Sequence, residues 1–258
     1  MFDHYFDVFL ADTSESKKIN YQIRYQVYCL ETGYEDPQTY PEKMEYDSFD
    51  DRSVHFIVRA KQTGIWIAAL RLIVGAMDEL PINHTAVIDI NRLLRIMSAD
   101  SVKDFDRSAE ISRLSVVSDF RRRKQERDVP FQLPWNQDEC ISDVAGDSFQ
   151  ERRKAPWLML ALLYAARDYS EQHGIKYWFF LTPKALARIF KGLGMQLEVT
   201  GPACEHRGTR FPHVIKIPSG FDNFEIKYPG LGKTIPRSNR YRLFSEVDNE
   251  TAKHRAAV

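Results

Sequence analysis

The spacing of apolar residues predicts a helix near the start of the chain. Over residues 17–31, apolar side chains recur at intervals of four, four and three positions, at Ile19, Ile23, Val27 and Leu30. This period places them along one face of an α-helix. A second row on the same helix carries Arg24, Tyr28 and Glu31. We therefore predict one amphipathic helix with a polar row beside its apolar face.

Runs rich in β-branched and aromatic residues predict the strands of a sheet. They cover residues 55–61, 65–74, 110–118, 175–181, 195–199 and 211–217. The first two runs are separated by a short turn and form a hairpin. An apolar helix over residues 156–173 precedes the strand at 175–181, and this order of elements predicts a right-handed crossover between parallel strands. A further helix is predicted from Thr182 through Lys191.

The remaining segments are polar and predict loops. Residues 31–51 hold eight acidic side chains against one lysine, together with two prolines. Residues 124–155 form an inserted loop, and residues 221–258 form a tail without a recognisable pattern. We therefore predict a single α/β domain over residues 1–220, with a mixed central sheet flanked by helices, followed by a tail of undetermined structure.

Composition narrows the function more than it narrows the fold. The 258 residues include 36 basic and 36 acidic side chains, so the net charge gives no overall attraction to nucleic acid or to an anionic membrane. The longest apolar run, residues 157–166, is about half of what a membrane crossing needs. The N-terminus has no basic start of a secretory signal, and three widely spaced cysteines predict free thiols. A cytoplasmic protein without a transmembrane segment is expected.

Local motifs carry a resemblance to known acyltransferases. They are residues 24–31 (RYQVYCLE), the acidic set Glu45, Asp47 and Asp50, the pair Arg71-Leu72, and residues 110–114 (EISRL). These motifs and the order of elements resemble the acyl-homoserine-lactone synthases and the long-chain N-acyl amino acid synthases, two related branches of the GNAT superfamily. Residues 201–212 are similar to acyltransferases associated with bacterial exosortase (PEP-CTERM) sorting systems. The resemblance covers residues 15–217.

The resemblance implies a GNAT-like fold and an N-acyltransferase activity. The donor would be a long-chain fatty acyl thioester, and the acceptor would be the amine of a small molecule, with an amino acid expected. GNAT acetyltransferases hold the coenzyme A pyrophosphate on a glycine-rich turn after the central strand, whereas residues 119–125 contain no glycine. We therefore expect an acyl carrier protein as partner and donor through its phosphopantetheine thioester, with acyl-coenzyme A as the alternative and no tightly bound cofactor.

Two other functions fit the same motifs. An autoinducer synthase would use S-adenosylmethionine and lactonise its product, but the long insertion and residues 201–212 favour the amino acid synthase. A catalytically silent GNAT module that binds acylated carrier protein would keep the same main-chain features. No oligomeric state is predicted. A zinc site is not expected, because Cys204, His206 and His213 lack a fourth ligand at suitable spacing.

The predicted catalytic groups lie on the strand at residues 110–118. The resemblance assigns a functional carboxylate to Glu110, which would orient or deprotonate the amine. The alternative for Glu110 is an ion pair with Arg113. In GNAT folds a backbone N–H of the central strand, freed where two parallel strands diverge, stabilises the oxyanion. This rule places the oxyanion donors among Ser115, Val116 and Val117.

Charged residues from separate segments predict the acceptor side of the site. Arg71 and Arg113 are predicted to hold a carboxylate of the acceptor through paired N–H donors. By the same resemblance, Arg24, Asp47 and Asp50 close this side of the site. The alternative for these residues is a structural role in ion pairs.

Two further sets of residues are predicted to serve the donor. The basic run that an acidic carrier protein and its phosphate would contact comprises Arg121, Arg122, Arg123 and Lys124. The acyl tunnel is predicted to be lined by Trp157, Leu160, Tyr177 and Phe179. The alternatives are a solvated charge cluster for the first set and an ordinary apolar core for the second.

Overall fold

A mixed β-sheet forms the centre of the molecule. The computed structural model describes residues 5–98, 102–121, 155–223 and 241–246. The strands are β1 (Phe6–Leu10), β2 (Ser53–Ala60), β3 (Trp66–Gly75), β4 (Ser108–Val116), β5 (Tyr177–Thr182), β6 (Glu198–Val199), β7 (Cys204–Glu205), β8 (Thr209–Lys216) and β9 (Arg242–Leu243). They are arranged in the order β6-β8-β5-β4-β3-β2-β1-β9, and β7 pairs with β8. Only β4 with β5 and β1 with β9 pair in parallel among these described strands.

Helices fill the connections between the strands. They are α1 (Ser14–Tyr25), α2 (Ile82–Thr85), α3 (Ile90–Met97), α4 (Ser118–Arg121), α5 (Ala155–Gln172) and α6 (Lys184–Gly192). A capping box starts α1: Thr13 Oγ1 accepts from the Ser16 N–H at 3.1 Å, and Ser16 Oγ accepts from the Thr13 N–H at 3.0 Å. The same helix continues as a π-helix over Gln26–Glu31. None of the helices in the described ranges combines the length and apolar character that a membrane crossing requires.

The helices α1 and α5 pack on opposite faces of the sheet. His55 and Phe56 are neighbours on β2, so their side chains point to opposite faces. The ring of His55 meets Tyr21 of α1 edge-on at 5.5 Å between centroids, and the ring of Phe56 meets Tyr169 of α5 at 6.1 Å. We call these the α1 face and the α5 face. Both carry buried apolar residues, and the site described below lies on the α1 face.

The parallel strands β4 and β5 pair over three residues only. Their register runs from Ser108 opposite Tyr177 to Glu110 opposite Phe179, while β4 itself continues to Val116. Beyond Glu110, residues 111–114 of β4 are half-buried, whereas the flanking residues are buried. Arg113 adopts a positive φ of 53°, and two residues of β4 oppose one of β3 at this point. This is a β-bulge, which bends a strand and redirects its side chains.

The predicted fold class is confirmed: a single α/β domain with a GNAT-like arrangement of a mixed sheet and flanking helices. The β2–β3 hairpin and the parallel pairing of β4 with β5 lie where the hydrophobic pattern predicted them. The sequence pattern missed β1, α2 and α3, and the strand predicted over residues 195–199 is reduced to Glu198–Val199.

The predicted tail contributes to the sheet in part. Within residues 241–246, Arg242 and Leu243 form β9 and pair with Phe9 and Leu10 of β1. The Ser245 N–H also donates to Asp12 Oδ1 at 3.0 Å. A tail that begins at residue 221 therefore includes a segment that the domain uses to cover an edge strand. Residues 124–154 of the predicted insertion lie outside the described residues, and the domain division itself stays a prediction.

Candidate active site

Three polar side chains form a row across the α1 face. His55 on β2 is in register with Arg71 on β3, which is in register with Ser112 on β4. Residues in register point to the same face of a sheet. Within this row, Arg71 Nε donates a hydrogen bond to Ser112 Oγ at 2.9 Å. A polar row in the middle of a buried sheet requires partners, and the helix and loop above it supply them.

Arg24 of α1 occupies the centre of a buried ion-pair network. Its Nε donates to Glu45 Oε2 at 2.6 Å, and its Nη1 and Nη2 donate to the two oxygens of Asp50 at 2.6 and 3.1 Å. The Arg24 side chain has no solvent exposure. It cannot touch a ligand in this arrangement, so the predicted role of Arg24 as an acceptor contact is corrected to a positioning role.

Arg71 and Arg113 share the same acidic loop with Arg24. Arg71 Nη1 donates to Asp47 Oδ1 at 2.7 Å and to Asp50 Oδ1 at 3.2 Å. Arg113 holds Glu45 Oε1 through Nε and Nη2 at 3.0 and 2.9 Å, and its Nη2 lies 3.5 Å from Asp47 Oδ2. Three guanidinium groups thus alternate with three carboxylates, and we call this set the arginine network.

The β-bulge explains how Arg113 reaches the arginine network. Side chains of a regular strand alternate between faces, so Ser112 and Arg113 would point in opposite directions. The positive φ of Arg113 interrupts this alternation. As a result, the guanidinium groups of Arg71 and Arg113 both approach the Asp47 carboxylate.

Direct contact with arginine keeps the acids of the network ionised. Burial alone would raise the pKa of Asp50, but hydrogen bonds from Arg24 and the charges of Arg24 and Arg71 lower it to about 2. Burial is likewise outweighed at Glu45, whose pKa is lowered by Arg24 and Arg113. Burial lowers the pKa of His55 to about 4, and the Asp50 charge opposes that shift only in part. His55 is therefore neutral at pH 7.

Glu110 lies in a different environment on the same face. It stands two residues before Ser112 on β4 and is the last β4 residue paired with β5. Within the described part of the chain, its buried carboxylate accepts one hydrogen bond, from the Ile82 N–H to Oε2 at 2.7 Å. Burial raises the pKa of Glu110 to about 7, because the Ile82 bond and the charges of Arg71 and Arg113 offset burial only partly.

The predicted alternative for Glu110, an ion pair with Arg113, does not occur in the described residues. The Arg113 guanidinium is within 4.0 Å of carboxylate oxygens of Glu35, Glu45 and Asp47 instead. Glu110 therefore combines burial, a titratable carboxyl group and a place at the opening between β4 and β5. These are the properties expected of a group that exchanges a proton during a reaction.

The predicted oxyanion donors Ser115, Val116 and Val117 lie beyond the bulge. The Val117 N–H donates to the Ile67 carbonyl on β3 at 3.0 Å, so this donor is engaged and its predicted role is corrected. Ser115 is buried and its hydroxyl donates to the Arg113 carbonyl at 3.0 Å. Where β4 separates from β5, the half-buried residues of β4 are 111–114, which come just before the predicted residues 115–117. For Ser115 and Val116 the proposed role of the backbone N–H stays a prediction.

The predicted donor side falls largely outside the described residues. Residues 122–124 of the basic run are not described, and only the backbone of Arg121 is, at the end of α4. At the start of α4 the Ser118 N–H donates to Glu31 Oε1 at 3.0 Å. A carboxylate therefore lies next to the segment that follows the central strand.

The predicted tunnel residues do not share one lining. Leu160 lies on α5, and α5 contacts the side of β5 that carries Trp178, whose Nε1 donates to Ser170 Oγ at 2.9 Å. Tyr177 and Phe179 alternate with Trp178 and point to the α1 face, where their rings pack on Phe105 at 4.7 and 6.1 Å between centroids. A single tunnel lined by Leu160 together with Tyr177 and Phe179 is therefore contradicted, whereas a role of Tyr177 and Phe179 alone stays a prediction; the Trp157 side chain is outside the described residues.

Several residues near the site were not predicted from the sequence. Glu45 and Ser112 complete the arginine network, and His55 lies beneath it. At its outer edge Glu35 contacts both Arg113 and Arg207, the latter from the turn between β7 and β8. Glu45 and Ser112 belong to the motifs that carried the resemblance, so that signal was present. Glu35 and Arg207 had no such signal.

Comparisons with known proteins agree with this geometry. Residues 23–127 match the model of the acetyltransferase (GNAT) domain family, and this range includes the arginine network and Glu110. A search of curated protein sequences found no match.

Solved structures share the fold over most of their length. The AHL synthase LasI superposes with a TM-score of 0.52 at 14% identity, over 87% of this chain and 95% of that one. BjaI, a CoA-dependent acyl-homoserine lactone synthase, gives a TM-score of 0.53 at 16% identity over 88% and 89%. FeeM, an N-acyl amino acid synthase from uncultured soil microbes, gives 0.52 at 10% identity over 86% and 96%.

These findings define the fold of the protein. It is a GNAT-like fold, with a buried carboxylate beside an arginine network at the opening between two parallel strands. At identities of 10–16% the likeness to solved structures establishes the fold. The particular reaction is inferred below from the site.

Proposed function

We propose that the protein is an N-acyltransferase that moves a long-chain fatty acyl group from a carrier thioester to the amine of an amino acid. One observation carries this proposal. Glu110 is a buried carboxyl group with a pKa raised to about 7, and it lies where β4 and β5 begin to separate. A carboxylate in this condition is a suitable proton acceptor near neutral pH.

The chemistry requires few groups. Attack on a thioester needs an unprotonated amine and hydrogen-bond donors for the developing oxyanion. The thiol leaving group, with a pKa of about 8.5, needs little protonation. In the proposed reaction Glu110 accepts the proton that the amine loses, the new C–N bond forms, and the C–S bond breaks to release the carrier thiolate, which then takes up a proton from Glu110 or water. The half-buried stretch at residues 111–114 is a further candidate for the oxyanion donors, beside the backbone N–H groups of Ser115 and Val116.

The proposed donor is an acyl carrier protein in the cytoplasm. A free coenzyme A would bring its pyrophosphate to the segment after β4, where Glu31 already occupies the Ser118 N–H and where residues 119–125 lack glycine. A second negative group at this place is unfavourable. The phosphopantetheine of a carrier has no nucleotide, and the basic run Arg121 to Lys124 offers a contact for an acidic carrier surface.

The acceptor is proposed to carry a carboxylate of its own. The arginine network brings Arg71 and Arg113 to the same part of the α1 face as Glu110, and Asp47 is its partly exposed member. Residues 201–212, whose sequence resembles the acyltransferases of exosortase systems, include β7, the β7–β8 turn and the start of β8, and Arg207 of this turn pairs with Glu35.

An autoinducer synthase is the second candidate, since LasI and BjaI share the fold over more than four fifths of this chain. BjaI has been solved with SAM and isopentyl-CoA, so both S-adenosylmethionine and acyl-coenzyme A belong among the substrates tested.

Product analysis by mass spectrometry tests the proposal. Purified protein is incubated with long-chain acyl carrier protein or acyl-coenzyme A, and with a mixture of amino acids or with S-adenosylmethionine. We expect N-acyl amino acids, formed faster from the carrier protein. An acyl lactone formed only with S-adenosylmethionine would establish the autoinducer synthase, and no product from any combination would indicate a silent carrier-binding module. Glu31→Gln keeps an acceptor for the Ser118 N–H but removes the negative charge. It should therefore raise the rate with acyl-coenzyme A and leave the rate with acyl carrier protein unchanged.

A further inference from the structure

The outer edge of the arginine network is formed by Tyr28, Glu35 and Arg207. Tyr28 lies in the π-helix that follows α1, and its carbonyl accepts from the N–H groups of Tyr34 and Glu35 at 2.8 and 3.1 Å. These two bonds tie the start of the acidic loop to the helix end. Glu35 is therefore held in a defined place, although it belongs to a loop.

Two arginines from distant parts of the chain converge on Tyr28. The Arg113 guanidinium carbon lies 5.1 Å from the centre of the Tyr28 ring, and that of Arg207 lies 5.6 Å from it. Both arginines adopt a positive φ of 53°, one in the bulge of β4 and one in the β7–β8 turn. This conformation is uncommon for residues other than glycine and is often maintained at functional positions.

The β7–β8 turn is braced so that Arg207 points in one direction. Arg210 Nε donates to the His206 carbonyl at 2.7 Å, which closes the turn from within. Arg207 Nη1 lies 3.2 Å from His206 Nε2. Burial, with the charges of Arg210 and Arg113, lowers the pKa of His206, so at neutral pH its ring is uncharged and its Nε2 can accept this bond.

Glu35 bridges the two arginines. Its Oε1 lies 3.7 Å from Arg113 Nη2 and also pairs with Arg207 Nη2. The side chains of Glu35, Arg207 and Arg113 are 22%, 20% and 13% exposed, whereas Arg71 is 3% exposed and Arg24 is fully buried. Of these four arginines, Arg207 is therefore the one that solvent and ligands reach most easily.

We infer that Glu35 occupies the binding place of the acceptor carboxylate, and that the acceptor binds between Arg113 and Arg207 after Glu35 has moved aside. The inference rests on the proposed function and adds Arg207 as the residue that selects a carboxylate-bearing acceptor. Arg71, which the sequence suggested for this task, is committed to Asp47, Asp50 and Ser112.

The exchange of one carboxylate for another is energetically inexpensive. A partly exposed ion pair contributes little net stability, so releasing Glu35 to water costs little. The incoming carboxylate finds two guanidinium groups that are already oriented, Arg113 by Glu45 and Arg207 by His206. Preorganised donors lower the ordering cost of binding.

The first test compares acceptors with and without the carboxylate. Arg207→Lys keeps the charge but loses the planar donor group, so KM for the best amino acid acceptor should rise about tenfold or more while kcat changes little. With the amide of the same amino acid, the variant and the wild type should have equal KM. Glu35→Gln removes the competing charge and should lower KM for the acid severalfold.

Arg59→Lys is the matched control. Arg59 pairs with Asp7 at 3.2 Å and lies over the rings of Phe9 and Trp66, so it has an ion pair and aromatic contacts like those of Arg207, but on β2, which β3 separates from β4. This control should leave acceptor KM unchanged. Equal effects of Arg207→Lys on the acid and the amide would overturn the inference and leave the acyltransferase reaction standing.

A binding measurement separates the inference from the reaction. Calorimetric titration with N-lauroylglycine and with its amide requires no turnover, so it remains informative if no acyl transfer is found. We expect the wild type to bind the acid more tightly than the amide, Arg207→Lys to remove this preference, and Glu35→Gln to increase it. No binding of N-lauroylglycine, or equal affinities for acid and amide in the wild type, would refute the carboxylate site.

Discussion

Asp50 and Glu110 are two buried carboxyl groups on the α1 face of the sheet. The pKa of Asp50 is lowered, whereas that of Glu110 is raised. Asp50 accepts two bonds from Arg24, one from Arg71 and one from the Asp47 N–H, and its pKa is about 2. Glu110 accepts one bond from a described residue, the Ile82 N–H, and its pKa is about 7. Burial is similar for both, so direct guanidinium contact decides the difference.

Their different pKa values suit Asp50 and Glu110 to different roles. An acid that stays ionised at all physiological pH values can hold helix, loop and sheet together through fixed charges. An acid whose pKa is near 7 changes its protonation state under working conditions and can take up a proton. The site thus contains a permanently charged scaffold beside one titratable group.

The largest expected effect is on catalysis at Glu110. Glu110→Gln keeps an oxygen for the Ile82 N–H but cannot accept a proton, so kcat for acyl transfer should fall by about 10²- to 10⁴-fold. Donor KM should change little, because the loss concerns the transition state. Steady-state kinetics with acyl carrier protein measure both values.

Glu79→Gln is the control for this change. Glu79 is 60% exposed, and its carboxylate lies 3.6 Å from Arg52. Its substitution should leave kcat as in the wild type. Undiminished turnover in Glu110→Gln would remove Glu110 from the mechanism and with it the observation that carries the proposed function.

The next largest effect is on stability at Arg24. Arg24→Met removes the charge between Glu45 and Asp50 and leaves two buried carboxylates without their main partner. Breaking a buried pair in this way costs about 3–5 kcal/mol of unfolding free energy. Urea denaturation measures the loss.

Arg59→Met provides the comparison for Arg24→Met. The Arg59 side chain is 32% exposed, and an exposed pair contributes about 1 kcal/mol or less. If the two variants lose equal stability, the arginine network is not the structural centre described above, and its charges must be compensated by solvent.

Features that depend on a few neighbouring residues were predicted from the sequence, whereas features that depend on contacts between distant residues were not. The hairpin and the apolar helix before β5 were predictable, because alternation and glycine signals act over a few residues. The site residues Arg71, Glu110 and Arg113 came instead from the resemblance of their motifs to known acyltransferases. The bulge at Arg113 was not predictable, since its positive φ depends on the acids that its side chain meets.

Two other failures have clear physical causes. Glu35 is one of eight acids in residues 31–51, and it is distinguished only by contact with Arg207, which is 172 positions away. The tunnel prediction treated the apolar residues of α5 and β5 as one group. Alternate residues of β5 point to opposite faces, so Tyr177 and Phe179 cannot meet a helix that contacts Trp178.

A smaller effect, on the pH dependence of stability, sharpens the comparison. The folded pKa of Glu110, about 7, lies above its ordinary 4.5, so its contribution is complete below pH 4.5 and is lost as the pH rises through 7. This difference corresponds to about 3 kcal/mol. Between pH 4.5 and 8, Glu110→Gln should therefore gain about that much stability relative to the wild type.

His55 also makes stability depend on pH on the acid side, but this does not affect the difference between Glu110→Gln and the wild type. Its folded pKa of about 4 lies below the ordinary 6.5, so its contribution is present above pH 6.5 and is lost as the pH falls toward 4. Both proteins contain His55, and its effect cancels in the difference. Parallel stability curves for wild type and variant would show that Glu110 titrates normally in the folded protein.

The smallest effect is expected at the edge of the arginine network. Asp47 contacts Arg71 and Arg113 but its side chain is 31% exposed, against 4% for Asp50. Water and salt screen the Asp47 charge, so Asp47→Asn should cost about 1 kcal/mol at low ionic strength and less as salt is added. Asp50→Asn leaves the buried Arg24 with Glu45 as its only charged partner among the described residues and should cost about 3 kcal/mol with little dependence on salt. Urea denaturation of both variants at low and high sodium chloride measures the contrast. A salt-independent loss at Asp47 equal to that at Asp50 would mean that the two carboxylates are equally buried in solution, and the division of the site into a buried scaffold and an accessible edge would have to be abandoned.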